Sequence, residues 1–114
     1  MKKGIMLILT AAFILFVISC GSSVGKQDPI VAADTYLNSG NTFYSKADYD
    51  RAILDYNQAI LLNPKLAEAY NNRGYVYFIK GDMNKAIADF EAALKLDSNY
   101  TSARKNLARA KESK

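Results

Sequence analysis

Two stretches of the chain match each other at one fixed offset of 34 residues, and that register limits the fold more than any other feature. Tyr36, Gly40, Phe43, Ala52, Tyr56, Ala59 and Leu62 recur as Tyr70, Gly74, Tyr77, Ala86, Phe90, Ala93 and Leu96. Asp48 and Asp55 recur as Asp82 and Asp89. A period of ~34 residues with helical spacing inside each copy marks a stacked helix-turn-helix solenoid. Each helix pair leaves an apolar flank that the next pair must cover, and the finished stack works by presenting a surface. Binding is therefore the expected class of function.

The amino terminus has a different character. Lys2 and Lys3 precede an apolar run from Ile5 to Ile18, broken only by Thr10. Such a run is shorter than the ~20 apolar residues of an ordinary membrane span and suits the hydrophobic region of a signal peptide. It ends at Val17-Ile18-Ser19-Cys20-Gly21, which resembles the lipobox of bacterial lipoproteins. The resemblance implies a diacylglycerol on the Cys20 thiol, cleavage after Ser19 and acylation of the new amino group. Cys20 is the only cysteine, so an intramolecular disulfide is impossible and a free or modified thiol needs a role. The alternative is a small buried residue at the end of an uncleaved anchor.

Loss of residues 1–19 leaves 13 basic and 11 acidic side chains, enough chain for one small domain. Five of the bases, Arg104, Lys105, Arg109, Lys111 and Lys114, fall in the last fourteen residues, so the sequence pI of 9.2 does not point to nucleic acid. Gly21 to Gln27 is small, polar and aperiodic, and residues 20–28 read as a flexible tether of ~15 Å root-mean-square span. Asp28-Pro29 then starts a helix, aspartate as N-cap and proline at N1.

The remainder, 29–114, reads as all-α. Helices are expected from Pro29 to Ser45, Tyr49 to Leu62, Pro64 or Ala67 to Ile79, Met83 to Leu96 and Thr101 to Glu112. Lys46-Ala47-Asp48 and Lys80-Gly81-Asp82 mark turns, with Asp48 and Asp82 capping the helices that follow. Gly40 and Gly74 each cost ~1 kcal/mol against alanine inside a helix, and close helix approach with Ala52 and Ala86 opposite, the aromatics filling the gaps beside that contact, is the expected compensation.

These positions resemble the tetratricopeptide repeat (TPR) family. Units 33–66 and 67–100 each place an aromatic fourth, glycine eighth, an aromatic eleventh, alanine twentieth, an aromatic twenty-fourth and alanine twenty-seventh. Pro64 fills the family's proline position, and Ser98 stands at its counterpart in the second unit. The resemblance implies a short right-handed helix-turn-helix solenoid of two units. Residues 101–114 add a capping helix, apolar along Ala103, Leu107 and Ala110. The basic excess of that helix also suits anionic lipid or an acidic partner. Two units are few for a solenoid, so self-association through the exposed side of the first helix is a further expectation.

In the family the concave face is lined from the first helix of each unit. Carried over, the candidate partner-binding residues are Asn38, Asn41, Tyr44, Asn71, Asn72, Tyr75, Phe78 and Lys105. Ser102, Asn106 and Arg109 match in part. Asparagine amides donate and accept, which suits an extended peptide backbone. The alternative is a solvated polar face without a dedicated ligand. Chaperone-binding members clamp a terminal carboxylate with two asparagines and several basic side chains. Asn41 and Asn72 match the asparagines, but Leu37, Ser102 and Asn106 stand where bases are wanted, so that clamp is not expected.

Catalysis has little support. The chain has no histidine and one cysteine, no metal-ligand cluster and no phosphate loop, and its carboxylates read as caps or solvated helix-face residues. No cofactor or metal is implied. The expectation is a lipid-anchored interaction scaffold or assembly (pilot) factor of the bacterial cell envelope. A structural subunit without a separable ligand, or a carrier of a peptide or cell-wall fragment, are the alternatives. Gly21 lacks the aspartate that retains many lipoproteins at the inner membrane, so the outer membrane is expected where the cell has one.

Overall fold

The structure, a computed structural model, describes residues 26–114. The signal-like segment and the Val17–Cys20 motif lie outside the described residues. Five helices follow in order: α1 (Pro29–Ser45), α2 (Tyr49–Leu62), α3 (Ala67–Lys80), α4 (Met83–Leu96) and α5 (Thr101–Glu112). No strand occurs among the described residues, and no helix there is long and apolar enough to cross a membrane.

Local chemistry sets the helix ends. The Asp28 carboxylate accepts the Ile30 N–H at 3.0 Å, with Pro29 in the first turn. Asp48 and Asp82 accept the N–H groups of Arg51 and Lys85 at 3.3 and 3.2 Å, three residues on. Each bond satisfies a donor that the first turn leaves orphaned. The third helix starts at Ala67 and not at Pro64, because Asn63 Oδ1 accepts the Lys65 N–H at 3.1 Å and holds Pro64-Lys65 as a turn. That helix runs to Lys80, one residue past the expected end, and stops where Gly81 takes φ +87°. The corresponding turn after α1 puts Ala47 at φ +58°.

α1 packs on α2 and α3 on α4, α2 joins the two hairpins, and α5 lies on α4. α3 also touches both α1 and α5, so the three alternate helices share one face of the stack. Leu37, Ala52, Tyr56, Ala59, Ala69 and Val76 form one core cluster, and Ala86, Phe90 and Ala110 form another. Leu107 packs on the second cluster, so the apolar face of α5 covers α4.

One expectation is sharpened and one corrected. The nearest approach to Gly40 is made by the Tyr56 ring, and to Gly74 by the Phe90 ring with the Asp89 Cβ, so the aromatics expected beside the contact lie closer than the alanines. A Cβ on Gly40 would meet Tyr56 ring carbons at 2.6 and 2.7 Å, and one on Gly74 would meet Phe90 and the Asp89 Cβ at 2.9 Å. The ring is large enough to reach across the hairpin and fill the notch that glycine leaves, whereas alanine is not. Second, Asp89 is neither a cap nor solvated. It is 5% exposed and takes a bidentate pair from Arg73, Nε to Oδ2 at 2.8 Å and Nη2 to Oδ1 at 2.7 Å. Arg73 Nη1 also donates to Asn57 Oδ1 of α2 at 2.8 Å. A carboxylate this buried needs such a partner, and the fork geometry of guanidinium supplies it.

Candidate functional site

The face shared by α1, α3 and α5 holds a cavity of about 570 Å³. Asn41 and Tyr44 of α1, Asn71, Asn72 and Tyr75 of α3, and Lys105 of α5 line it. Six of the eight predicted residues are thus brought together. Asn38 is exposed and outside the lining, because α1 is the first helix of the described stack and its outer flank has no neighbour among the described residues. Phe78 is also outside the lining but stacks on Tyr75, centroids 6.2 Å apart and planes within 11°. Ser102, Asn106 and Arg109 complete the α5 wall.

A chain of amides forms the floor. Asn41 Oδ1 accepts from Tyr56 Oη at 2.7 Å and from Asn72 Nδ2 at 2.9 Å. Asn71 Nδ2 donates to Asn72 Oδ1 and to Tyr100 Oη, both at 3.4 Å, and Asn106 Nδ2 donates to Asn71 Oδ1 at 3.1 Å. The chain links α1, α2, α3 and α5, so the repeat packing itself orients the groups offered to a ligand. Asn71 is only 7% exposed, which the hydrogen bonds of its amide make tolerable.

Aromatic rings form the wall. The Tyr44 ring meets the Tyr49 and Tyr75 rings at centroid distances of 6.2 and 6.1 Å, and Tyr75 carries the series on to Phe78. The Arg109 guanidinium lies over the Phe78 ring, 5.4 Å from its centre. Burial raises the Tyr44 phenol above its ordinary pKa, helped by Tyr75 and Tyr49. Burial raises Tyr56 and Tyr100 as well, with Glu68 acting in the same direction on both. These phenols therefore remain neutral at physiological pH, and the positive charge of the lining comes from α5 alone.

Tyr56 was not among the predicted site residues, since its position read as core. The signal was present: the equivalent of Tyr56 in the second unit is Phe90, so the first unit carries a hydroxyl that needs a buried partner. Among the described residues no three His, Cys, Asp or Glu side chains converge as a metal site would need.

A family model described as TPR repeat matches residues 40–78, and one described as Tetratricopeptide repeat matches 67–100. The TPR domain of Arabidopsis OM64 is similar in structure, with TM-score 0.73 and 26% identity, over 75% of this chain and 70% of that one. The TPR2B domain of yeast Sti1, in a complex with pHsp70, matches with TM-score 0.70 and 27% identity over 72% and 66%. The second TPR domain of human RPAP3, in complex with an HSP70 peptide, matches with TM-score 0.67 and 30% identity over 69% and 66%. A search of the curated proteins finds no match. The two family matches together span more than half of the 114 residues, and the helices and the glycine–aromatic contacts recur at their period. The chain belongs to the tetratricopeptide repeat family.

Proposed function

We propose that this protein is a lipid-anchored interaction scaffold, or an assembly factor, on the extracytoplasmic side of a bacterial membrane. It holds a partner protein or peptide in the face shared by α1, α3 and α5. The observation that carries the reading is the amide floor beside the aromatic wall, in a cavity of about 570 Å³. A cleft of that size with rings and a few fixed polar groups suits a bound segment of chain. The complexes named for similar domains, those of yeast Sti1 and human RPAP3, lend support for a peptide as ligand.

The anchoring half rests on the Val17–Cys20 motif and its preceding apolar run. Acyl chains on Cys20, two or more, would retain the protein, since one alone binds only marginally. The outer membrane is the site proposed where the cell has one.

Crosslinking in cells, with co-purified proteins identified for the native chain and for the Asn72→Ala/Tyr75→Ala variant, tests the recruiting half. Partners lost with the double substitution support the groove. Partners all retained point to a subunit joined through another surface. Lipid labelling of a Cys20→Ala chain tests the anchor: label that persists removes it.

A further inference from the structure

We infer that the groove reads an internal, extended segment of its partner with acidic side chains at alternate positions, and not a free chain terminus. This rests on the recruiting reading above.

The hydrogen bonds already made decide what remains to be offered. The oxygens of Asn41, Asn71 and Asn72 each accept a bond within the floor, and that of Asn41 accepts two, its full capacity. The Asn41 amide nitrogen has no partner among the described residues. At that end a ligand therefore meets N–H donors, which suit the carbonyls of an extended backbone.

The charged side points the same way. No Asp or Glu lines the cavity, while Lys105 and Arg109 do. Lys105 forms no ion pair among the described residues, and Arg109 rests on the Phe78 ring without a carboxylate. The two are one helical turn apart on α5, which sets their Cβ atoms about 5–6 Å apart. Alternate side chains of an extended peptide stand about 6–7 Å apart, so acids at positions i and i+2 meet both cations in turn. A terminal carboxylate concentrates its charge at one point, and the α1 side of the cavity offers it only the neutral Asn41 and Tyr44. Arg109 lies over the Phe78 ring, which stacks on Tyr75, so an apolar residue beside the second acid completes the match.

The test uses the full chain in non-ionic detergent and three fluorescein-labelled peptides read by anisotropy. The first has both ends blocked and contains Asp-x-Asp followed by Phe. The second replaces both Asp by Asn. The third is the second with a free terminal carboxylate. The first is expected to bind about tenfold tighter than the second, with the third no better than the second. Lys105→Gln and Arg109→Gln, exposed on α5, should each cost the first peptide about threefold or more while helicity stays unchanged. Equal binding of the first and second peptides overturns the inference, as does a third peptide that matches the first. Binding by none overturns it too, whereas the Asn72/Tyr75 crosslinking result judges the recruiting reading separately.

Discussion

The backbone of Gly40 lies against the ring of Tyr56, so near that a Cβ would stand 2.6 Å from ring carbon Cε1. Tyr56 is 1% exposed, and its hydroxyl is held by Asn41, so the ring cannot swing away without breaking the amide floor. Gly40→Ala gains helix propensity but loses more to overpacking, a net cost expected at about 1–3 kcal/mol. Thermal unfolding followed by circular dichroism checks this, and an unchanged or raised midpoint would refute the contact.

Ala47 pays for a left-handed backbone that Gly81 adopts freely at the same place in the second unit. Ala47→Gly should raise stability by about 1 kcal/mol, since a left-handed residue with a Cβ is strained by that order. Urea unfolding midpoints of the two chains decide it. A lower midpoint for the glycine variant would show that the turn is unstrained.

The buried pair of Arg73 and Asp89 ties α3 to α4, and through Asn57 to α2. Asp89→Ala leaves a guanidinium that is 19% exposed without its anion, an expected loss of about 3 kcal/mol or more. For so small a domain this approaches the whole stability. A variant that unfolds within a few degrees of the native chain would mean that water compensates the cation.

The first unit lacks that pair. Ser39 stands where the repeat places Arg73, and Asp55 Oδ2 is buried without a hydrogen-bond partner. Ser39→Arg is expected to supply it and to add about 1 kcal/mol. If the midpoint does not rise, the two units differ in backbone spacing here as well as in sequence.

Tyr56, Tyr44 and Tyr100 all have raised phenol pKa values, with burial the main cause in each. In the unfolded chain these phenols ionise near 10, before the folded ones do, so the unfolded state releases protons first and stability falls as pH rises. Their contribution is whole below pH ~10 and is lost above it. Melting temperatures between neutral pH and pH ~11 should drop at the alkaline end, and Tyr56→Phe should reduce the drop. The same variant should cost about 1 kcal/mol at neutral pH, because Asn41 loses a donor. A flat alkaline profile in the native chain would contradict the burial.

The helices were legible in the chain because their signals are local. Asp28, Asp48 and Asp82 cap the turns that directly follow them, and Gly81 ends a helix through its own backbone freedom. The sequence left two starts open for the third helix, Pro64 and Ala67, and the choice turned on a bond between Asn63 and Lys65 that competes with helix. Of the site, the positions on α1, α3 and α5 could be carried over from the register. The links between them could not. Tyr56 to Asn41 spans 15 residues, Asn72 to Asn41 spans 31 and Asn106 to Asn71 spans 35.

Sequence alone determined the all-helical repeat, its period and its ends, since capping, helical spacing and a 34-residue register are written in neighbouring residues. Tertiary structure decided which donors remain for a ligand, that a ring lies closer than alanine in each glycine notch, and that Asp89 is a buried ion. Those outcomes depend on how distant side chains compete for the same space and the same hydrogen bonds, and only the packed stack settles that competition.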